Sequence, residues 1–474
     1  PEEKQYHTNP QNKFGAWRYD RVLLDFKPDI VWDFRDYWMY SHTAKSPLRD
    51  FYHLCLMPTV DSSPPQHEWI ELLCGADSVF TYSDWAIPVL KERSNNRINP
   101  ICSPYPGIEK DCFYPSKDKK ESKKKLGLPE DSFIIGSVMR NQRRKLIPEL
   151  LDAFRIYLEK YGDTDLGKKT YLLLHTSYPD MAGWDLPKLL KEYGIANRVY
   201  FTYICRETRQ VLVKKFSGTR AYSSFAKKLT ATFPSVGIGV TREQLGGIYR
   251  SMDLYTQYAL AEGLGCPQVE AAGCGIPIAS VDYSAMADIV EKTKGIPLKV
   301  SKMFYEWETN AYRAYPDNSL TAEAWYKYGT SSEDHKQMKS RQAFEASNKY
   351  FNWDRSAKIW SDHFESIVLK GNQGNWNIPD TMPDKQIPPY KELKTSNTQY
   401  VEWLCHAVAK TPKLFTSFFG LDMIEKLNNQ ITSPFKQGSP VTRKDLYNMC
   451  RVIGQNKINS EEARVSSDSL KNHH

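Results

Sequence analysis

The stretch EGLGCPQVEAAGCGIPIA, residues 262–279, decides the fold of this chain. It follows an apolar run at 254–259 that is typical of a strand. Pro267 is well placed as the first residue of a helix, because that position needs no backbone N–H. The N–H groups near Gly265 and Cys266 would then point out of the helix start, where proteins bind phosphate. The stretch therefore predicts a strand, a glycine loop and a helix, with an anion site at the loop.

Two glutamates flank this predicted anion site. Glu262 lies in the loop, and Glu270 lies in the first turn of the predicted helix. A carboxylate repels phosphate but accepts hydrogen bonds from hydroxyls, so both side chains are candidates for contacts with a sugar beside the phosphate. The competing interpretation is that Glu270 only offsets the helix dipole and that Glu262 is an ordinary surface acid.

The whole stretch resembles the E-G-F-G-x-P-x-x-E-A-x-A-x-G-x-P signature of retaining nucleotide-sugar glycosyltransferases, in particular glycosyltransferase family 4, with Leu264 in place of the usual aromatic residue. That family has the GT-B fold, an α/β architecture in which two Rossmann-like domains face a cleft. The resemblance implies that Glu262 contacts the donor sugar and that Glu270 contacts the ribose of the nucleotide. It also implies a donor-binding loop made of Gly263, Leu264, Gly265 and Cys266.

A basic segment, RNQRRK at residues 140–145, directly follows a strand pattern at 133–139. Ligands of α/β sheets bind at the carboxyl ends of parallel strands, and Arg and Lys both bind phosphate oxygens. In the family, one Arg and one Lys about five residues apart bind the donor diphosphate, which implies Arg140 and Lys145. Arg144 is a further donor-binding candidate. Because Arg143 and Arg144 lie in the same segment, the assignment of Arg140 and Lys145 to the diphosphate is not unique. A solvated basic loop is the competing interpretation.

Residues 1–115 alternate helical and strand patterns, which predicts a Rossmann-like half with a parallel sheet. KPDIV at 27–31 and the PYPGI turn at 104–108 resemble the later part of the family's acceptor-side domain. The early strands of that domain have no counterpart, so we expect it to be incomplete. Asp61 lies where family members keep a polar residue beside the sugar, which makes it a candidate for orienting the acceptor. An Asx turn at Asp61 is an equally good interpretation.

The nucleotide-sugar-binding Rossmann-like domain is predicted at 116–350, with an insert at 205–240. The insert offers one cysteine and no histidine, so it lacks the four ligands of a zinc ribbon and no metal is expected. The lysine-rich segment 117–125 is interpreted as a solvated helix rather than a nucleic-acid patch. His175 is interpreted as a packing or surface residue.

The last part of the chain is predicted to be helical. FNWDRSA at 351–357 resembles the opening of the family's last helix, so a crossover helix is expected at 351–370. A linker rich in Pro, Asn and Gln follows at 371–389. The predicted helical extension at 390–474 has amphipathic runs, which we expect to pack on the body or on a second copy of the chain.

The length and composition of the chain limit the number of domains and the class of protein. The 474 residues suffice for two or three domains, and a hydrophobic content of 41% supports ordinary cores. The sequence has neither an apolar run of membrane-spanning length nor a recognisable leader, and its nine cysteines show no paired spacing. We therefore expect a cytoplasmic protein with reduced thiols. The net charge of +8 permits an acidic acceptor or nucleic acid without requiring either.

Taken together, these features predict a metal-independent, retaining hexosyltransferase that uses a UDP- or GDP-linked sugar and no cofactor. The acceptor stays open between a glycan, a protein and a modified nucleic acid. Three alternatives share the fold: a glycosyltransferase acting on modified DNA bases, a nucleotide-sugar epimerase, and a catalytically silent binding module. The sequence offers no Ser-His-Asp or Cys-His arrangement that would suggest a protein nucleophile.

Overall fold

The computed structural model describes Gly15 and residues 19–46, 48–218, 220–222, 230–235 and 237–370. The predicted linker and helical extension, residues 371–474, lie outside the described residues. Two compact units are present. Within the described residues, one consists of the residues from Tyr19 to Leu56 with Gly75–Ser78 and residues 367–370, and the other of Met57–Cys74 and Val79–Ser366. The domain boundaries given above remain predictions.

The N-terminal part of the described chain contains α1 (Tyr19–Phe26), α2 (Ser41–Ala44) and a small sheet in the order β1-β2-β3, formed by β1 (Ile30–Asp36), β2 (His53–Thr59) and β3 (Ser78–Val79). The first helix ends before Pro28, because a proline disfavours the helical conformation of the residue before it. That residue, Lys27, takes a positive φ of 47°. Farther along, Arg49 Nη2 binds Asp77 Oδ2 at 2.6 Å. This helix followed by a strand agrees with the alternation of helical and strand patterns predicted for residues 1–115.

The second unit contains one large sheet flanked by helices. The helices are α3 (His67–Cys74), α4 (Ala86–Arg93), α5 (Lys119–Lys125), α6 (Ile147–Tyr161), α7 (Asp165–Lys169), α8 (Leu186–Tyr193), α9 (Arg242–Arg250), α10 (Cys266–Gly273), α11 (Ala285–Thr293), α12 (Asn318–Gly329), α13 (Glu333–Tyr350) and α14 (Trp353–Ser366). The strands are β4 (Phe133–Val138), β5 (Thr170–His175), β6 (Val199–Cys205), β7 (Val211–Lys215), β8 (Arg220–Tyr222), β9 (Thr230–Thr232), β10 (Leu254–Gln257), β11 (Ile278–Val281) and β12 (Ile296–Leu298). A separate hairpin consists of β13 (Val300–Glu306) and β14 (Ala311–Pro316).

The large sheet has the strand order β12-β11-β10-β4-β5-β6-β9-β8. From β12 to β6 all neighbours are parallel, and Ile135 of β4 is paired with Leu172 of β5 and Leu254 of β10. Both β7 and β9 pair with β6 in the antiparallel direction. The insert at 205–240 therefore extends the sheet with antiparallel strands, which the sequence did not predict.

Helices cover both faces of this sheet, which explains why its strands β4, β10 and β11 are buried along their whole length. On one face Ile135 and Leu172 pack into a core with residues of α6, α8 and α12. On the other face Ile134 and Leu173 pack with residues of α9, α10 and α13. Among the described residues, no helix combines the length and the apolar character needed to cross a membrane.

Candidate functional site

The loop between β10 and α10 has the order of strand, glycine loop and helix that the sequence predicts. The strand ends at Gln257, and the helix begins at Cys266 with Pro267 as its second residue. Gly265, just before the helix, has a φ of 80°, a left-handed conformation that favours glycine. Because the helix begins one residue earlier than predicted, Glu270 is its fifth residue and lies in the second turn. The first-turn prediction is wrong.

Other residues of this loop differ in exposure. Gly263 passes so close to Thr59 that an added Cβ would collide with Thr59 Cγ2, so glycine is required there. Leu264 is buried in the core beneath α10, whereas Cys266 is exposed. The exposed end of the loop can therefore offer its backbone to a ligand while Leu264 anchors the loop.

Glu262 is buried in this loop and accepts hydrogen bonds from three side chains. Lys145 Nζ donates to Oε1, as does Gln257 Nε2 at 2.8 Å, and Arg144 Nη1 donates to Oε2 at 3.1 Å. Burial alone would raise the pKa of Glu262, but Lys145 and Arg144 outweigh burial and hold it below its usual value. Glu262 is therefore ionised at neutral pH, and its interpretation as an ordinary surface acid is wrong.

The two cations reach Glu262 because residues 143–145 form a single turn of 3₁₀ helix after β4. Leu146 ends this turn with a φ of 31° and leads into α6. A backbone hydrogen bond from Leu260 N to Arg144 O, 2.9 Å long, joins this turn to the loop before α10. The structure thus brings together Lys145, Arg144 and Glu262, which the sequence assigned to one site.

Arg140 makes a different contact. Its Nε binds Asp180 Oδ2 at 2.9 Å, and half of the Arg140 side chain is exposed. Ser177 Oγ donates to the same carboxylate oxygen at 3.1 Å. The structure therefore gives different partners to the two cations that the resemblance assigns to the diphosphate: Lys145 binds Glu262, whereas Arg140 binds Asp180.

A cavity of about 710 Å³ opens at the carboxyl ends of β4 and β5, beside Arg140. Its walls include His175 at the end of β5, Pro234 from the insert and Pro267 from α10. Burial lowers the pKa of His175 to about 4, so its ring, whose Nδ1 lies 2.8 Å from Thr202 Oγ1, is neutral at pH 7. The cavity has the size of a small-molecule site. Sequence reasoning missed the place of His175 in this wall, although its position at the end of a parallel strand could have indicated it.

Glu270 is buried between two residues of α9. It accepts hydrogen bonds from Arg242 Nη1 at 3.0 Å and from the Tyr249 hydroxyl at 2.8 Å. Burial raises the pKa of Glu270. The Arg242 side chain is 58% exposed, and its Nε also lies 3.5 Å from Glu109 Oε1. Sequence reasoning missed Arg242 and Tyr249, although their separation of seven residues places both on one face of a helix.

Asp61 contacts the hairpin. Arg313 Nη1 of β14 donates to Asp61 Oδ2 at 2.9 Å, and Ser62 Oγ donates to Oδ1 at 2.9 Å. Arg313 is buried, and its Nε also donates to Glu306 Oε2 at 2.8 Å. The sequence did not predict this hairpin, although its strands are rich in the aromatic residues that favour strands. Arg313 therefore fixes the carboxylate that was the candidate for orienting the acceptor.

A comparison with curated proteins finds one distant similarity. No family model matches the chain. The chain is 24% identical over 278 residues to a D-inositol 3-phosphate glycosyltransferase from Corynebacterium jeikeium. The match covers 57% of this chain and 55% of the relative, so the chain spans about half the length of the curated relative it matches.

Similarity to solved structures extends over more of the chain. Sucrose-phosphate synthase from Thermosynechococcus elongatus has a TM-score of 0.54 and 16% identity, covering 77% of this chain and 79% of that one. Anabaena HepE in complex with UDP and glucose has a TM-score of 0.52 and 13% identity, covering 77% and 86%. A glycosyltransferase from Rickettsia africae has a TM-score of 0.50 and 13% identity, covering 77% and 85%. The chain has the GT-B fold, as the sequence predicted.

Proposed function

We propose that this protein is a retaining glycosyltransferase that transfers a hexose-type sugar from a UDP- or GDP-linked donor to an acceptor hydroxyl. The observation that carries the proposal is the buried Glu262, held by Lys145 and Arg144 in the loop that leads into α10. A carboxylate accepts hydrogen bonds from sugar hydroxyls, and cations and helix-start amides bind phosphate. The similarity to glycosyltransferases, one of them solved with UDP and glucose, supports a nucleotide-sugar donor.

In the proposed complex the diphosphate binds to Lys145, Arg140 and the amides of Gly265 and Cys266. The ammonium group of Lys145 has three N–H donors, so it can bind Glu262 and a phosphate oxygen together. Arg140 keeps half of its side chain exposed and is accessible to a ligand. These groups neutralise the diphosphate in place of a divalent metal ion, and no cofactor takes part.

The nucleoside would extend from the diphosphate toward α9 and the cavity beside Arg140. Glu270 is the proposed acceptor of hydrogen bonds from the ribose hydroxyls. Without ligand it binds Arg242 and Tyr249, and the exposed Arg242 can move aside when ribose replaces it. The base would occupy the cavity that His175 lines, where the neutral imidazole adds no charge.

The proposed reaction proceeds on one face of the sugar. The bond between C1 and the donor phosphate oxygen breaks, the bond between C1 and the acceptor oxygen forms on the same face, and the acceptor proton passes to the departing phosphate oxygen. Negative charge develops on the leaving diphosphate, where Lys145, Arg140 and the helix-start amides stabilise it. Glu262 orients the sugar hydroxyls, and Asp61, fixed by Arg313, orients the acceptor.

The test combines nucleotide binding with turnover. UDP- and GDP-sugars are titrated into the wild type and Glu262→Gln, and donor consumption is measured with and without glycan acceptors. The variant should bind free nucleoside diphosphate as the wild type does, but it should lose about tenfold or more in turnover, as expected for one charged hydrogen bond. Glu159→Gln, an exposed change on α6, is the matched control. If the wild type binds no nucleotide, the proposal is wrong.

The same assay separates the rival functions. An epimerase would consume donor without an added acceptor, and a silent binding module would bind donor without any turnover. A glycosyltransferase acting on modified DNA bases would bind duplex DNA with a steep dependence on salt concentration, because phosphate contacts release counterions. Turnover that needs a glycan and does not respond to DNA supports the proposal.

A further inference from the structure

A second cavity, of about 670 Å³, lies at the amino ends of the parallel strands of the large sheet, whereas the first cavity lies at their carboxyl ends. Its lining includes Phe133, Asp253 and Pro277, which stand at or just before the amino ends of β4, β10 and β11. The Glu262 cluster lies at the carboxyl ends of β4 and β10. Since the six residues of β4 alone span about 20 Å, the two places are separate.

Four cations line this cavity: Lys119, Lys169, Lys336 and Arg341. They come from α5, the end of α7 and two successive turns of α13. Within the part of the chain that the structure describes, none of the four lies within ion-pair distance of a carboxylate. Three separate segments thus direct positive charge to one concave surface.

The carboxylates of the cavity do not balance this charge. Asp131 binds Lys120 at 2.7 Å, and Asp253 binds Lys123 at 2.8 Å, so each is neutralised by a lysine outside the four. Glu333 is the remaining carboxylate of the lining. Four cations against one carboxylate leave an excess of three positive charges.

Lys119 shows most clearly that this charge is not paired with a carboxylate. Its Nζ donates to the backbone carbonyl of Met252 at 2.7 Å. Burial lowers the pKa of Lys119 to about 8, and the nearby Lys123 acts in the same direction, against the opposing effect of Asp253. A backbone carbonyl does not neutralise an ammonium group, so an anion in the cavity would stabilise the charged form of Lys119.

We propose that this cavity is a binding site for a small, multiply charged phosphate compound, distinct from the site at Glu262. The volume lies within the range of small-molecule sites, and the cations suit two or more phosphate oxygens. Inorganic pyrophosphate and a phosphorylated sugar share this chemistry. The site does not depend on the proposed transferase function, because none of its residues belongs to the donor site.

The experiment titrates pyrophosphate and a hexose 6-phosphate, separately, into the full chain by calorimetry. The test variant is the double variant Lys336→Gln and Arg341→Gln. The control variant, Lys327→Gln and Lys349→Gln, removes two exposed lysines of α12 and α13 that do not line the cavity. Both variants lower the net charge by two, so only the position of the lost charge differs.

The cavity variant should bind the tested phosphate compound at least about tenfold more weakly than the wild type, through loss of charged hydrogen bonds, and the control variant should change by less than about twofold. Tighter binding of pyrophosphate would identify an inorganic ligand class, and tighter binding of hexose phosphate a sugar-phosphate class. Equal weakening in both variants would show non-specific attraction and overturn the proposal. Unchanged binding in the cavity variant, or no binding of either compound to the wild type, would overturn it as well.

Discussion

The two ends of the parallel strands of the large sheet differ in whether their positive charges are paired with carboxylates. The side at the carboxyl ends of the strands is called the carboxyl edge, and the side at their amino ends the amino edge. At the carboxyl edge, Lys145 is buried and its charge is balanced by Glu262. At the amino edge, Lys119 and three other cations line a cavity, and no ion pair forms with them among the described residues. A buried charge costs free energy unless it is paired. The carboxyl edge is therefore organised before a ligand arrives, whereas the amino edge leaves charge for a ligand to neutralise.

Breaking the pair at the carboxyl edge should have the largest effect. Glu262→Ala leaves Lys145 buried without its carboxylate, which we expect to lower the free energy of unfolding by about 3–5 kcal/mol. Urea unfolding followed by circular dichroism measures the change. The double variant Glu262→Ala with Lys145→Met should recover part of the loss, because the unpaired charge is then gone. A loss below about 1 kcal/mol in the single variant would show that the pair is not effectively buried.

The dependence of stability on pH tests the environment of His175, a base at the carboxyl edge. Its pKa is about 6.5 in the unfolded chain and about 4 in the folded one, so between these values only the unfolded chain binds the proton. The free energy of unfolding should therefore fall as the pH drops from 6.5 to 4, with a slope approaching about 1.4 kcal/mol per pH unit from this residue.

The comparison of wild type with His175→Asn isolates that slope. Other groups, including His42, whose pKa is also lowered to about 4, contribute equally to both proteins. Urea unfolding at a series of pH values should show a shallower acid decline in the variant. Identical declines in both proteins would mean that the pKa of His175 is the same in the folded and the unfolded chain.

Arg140 should matter far less for stability than Lys145. Its pair with Asp180 involves a half-exposed side chain, and such pairs contribute about 0–1 kcal/mol. Arg140→Ala should therefore unfold at nearly the same urea concentration as the wild type while binding nucleoside diphosphate more weakly. A destabilisation above about 2 kcal/mol would assign Arg140 a structural role instead.

Chelation should have no effect. The proposed site neutralises the diphosphate with cations and helix-start amides, so removal of divalent ions leaves those groups in place. Turnover assayed with and without EDTA should be equal. Loss of turnover on chelation, restored by manganese or magnesium, would require a metal ion that the proposed mechanism lacks.

The sequence predicted those features of the site that depend on residues close together in the chain. Gly265 and Pro267 define a helix start through their own backbone preferences, and the apolar runs of β4 and β5 reflect burial on two faces. The error of one residue at α10 has a local cause too: a proline is accommodated at the second helical position as readily as at the first. That shift moved Glu270 from the first turn to the second.

The contacts of the site could not be predicted in the same way. Glu262 is held by Lys145, which lies 117 residues earlier, and Asp61 by Arg313, which lies 252 residues later. Only the fold brings such residues together, and a single sequence records no distance between them. The cavity at the amino edge was missed for the same reason, because its four cations come from three segments that carry no shared motif.

We propose that the loop into α10 binds a nucleoside diphosphate, with Glu270 as the acceptor for the ribose hydroxyls. The most direct test is calorimetric titration of UDP and GDP into the wild type, Glu270→Ala and Arg242→Ala. Glu270→Ala should weaken binding of the preferred nucleotide by about 1.5–3 kcal/mol, the contribution of a charged hydrogen bond. Arg242→Ala should bind it at least as tightly as the wild type, because Glu270 loses a competing partner. Wild-type affinity in Glu270→Ala would contradict the account.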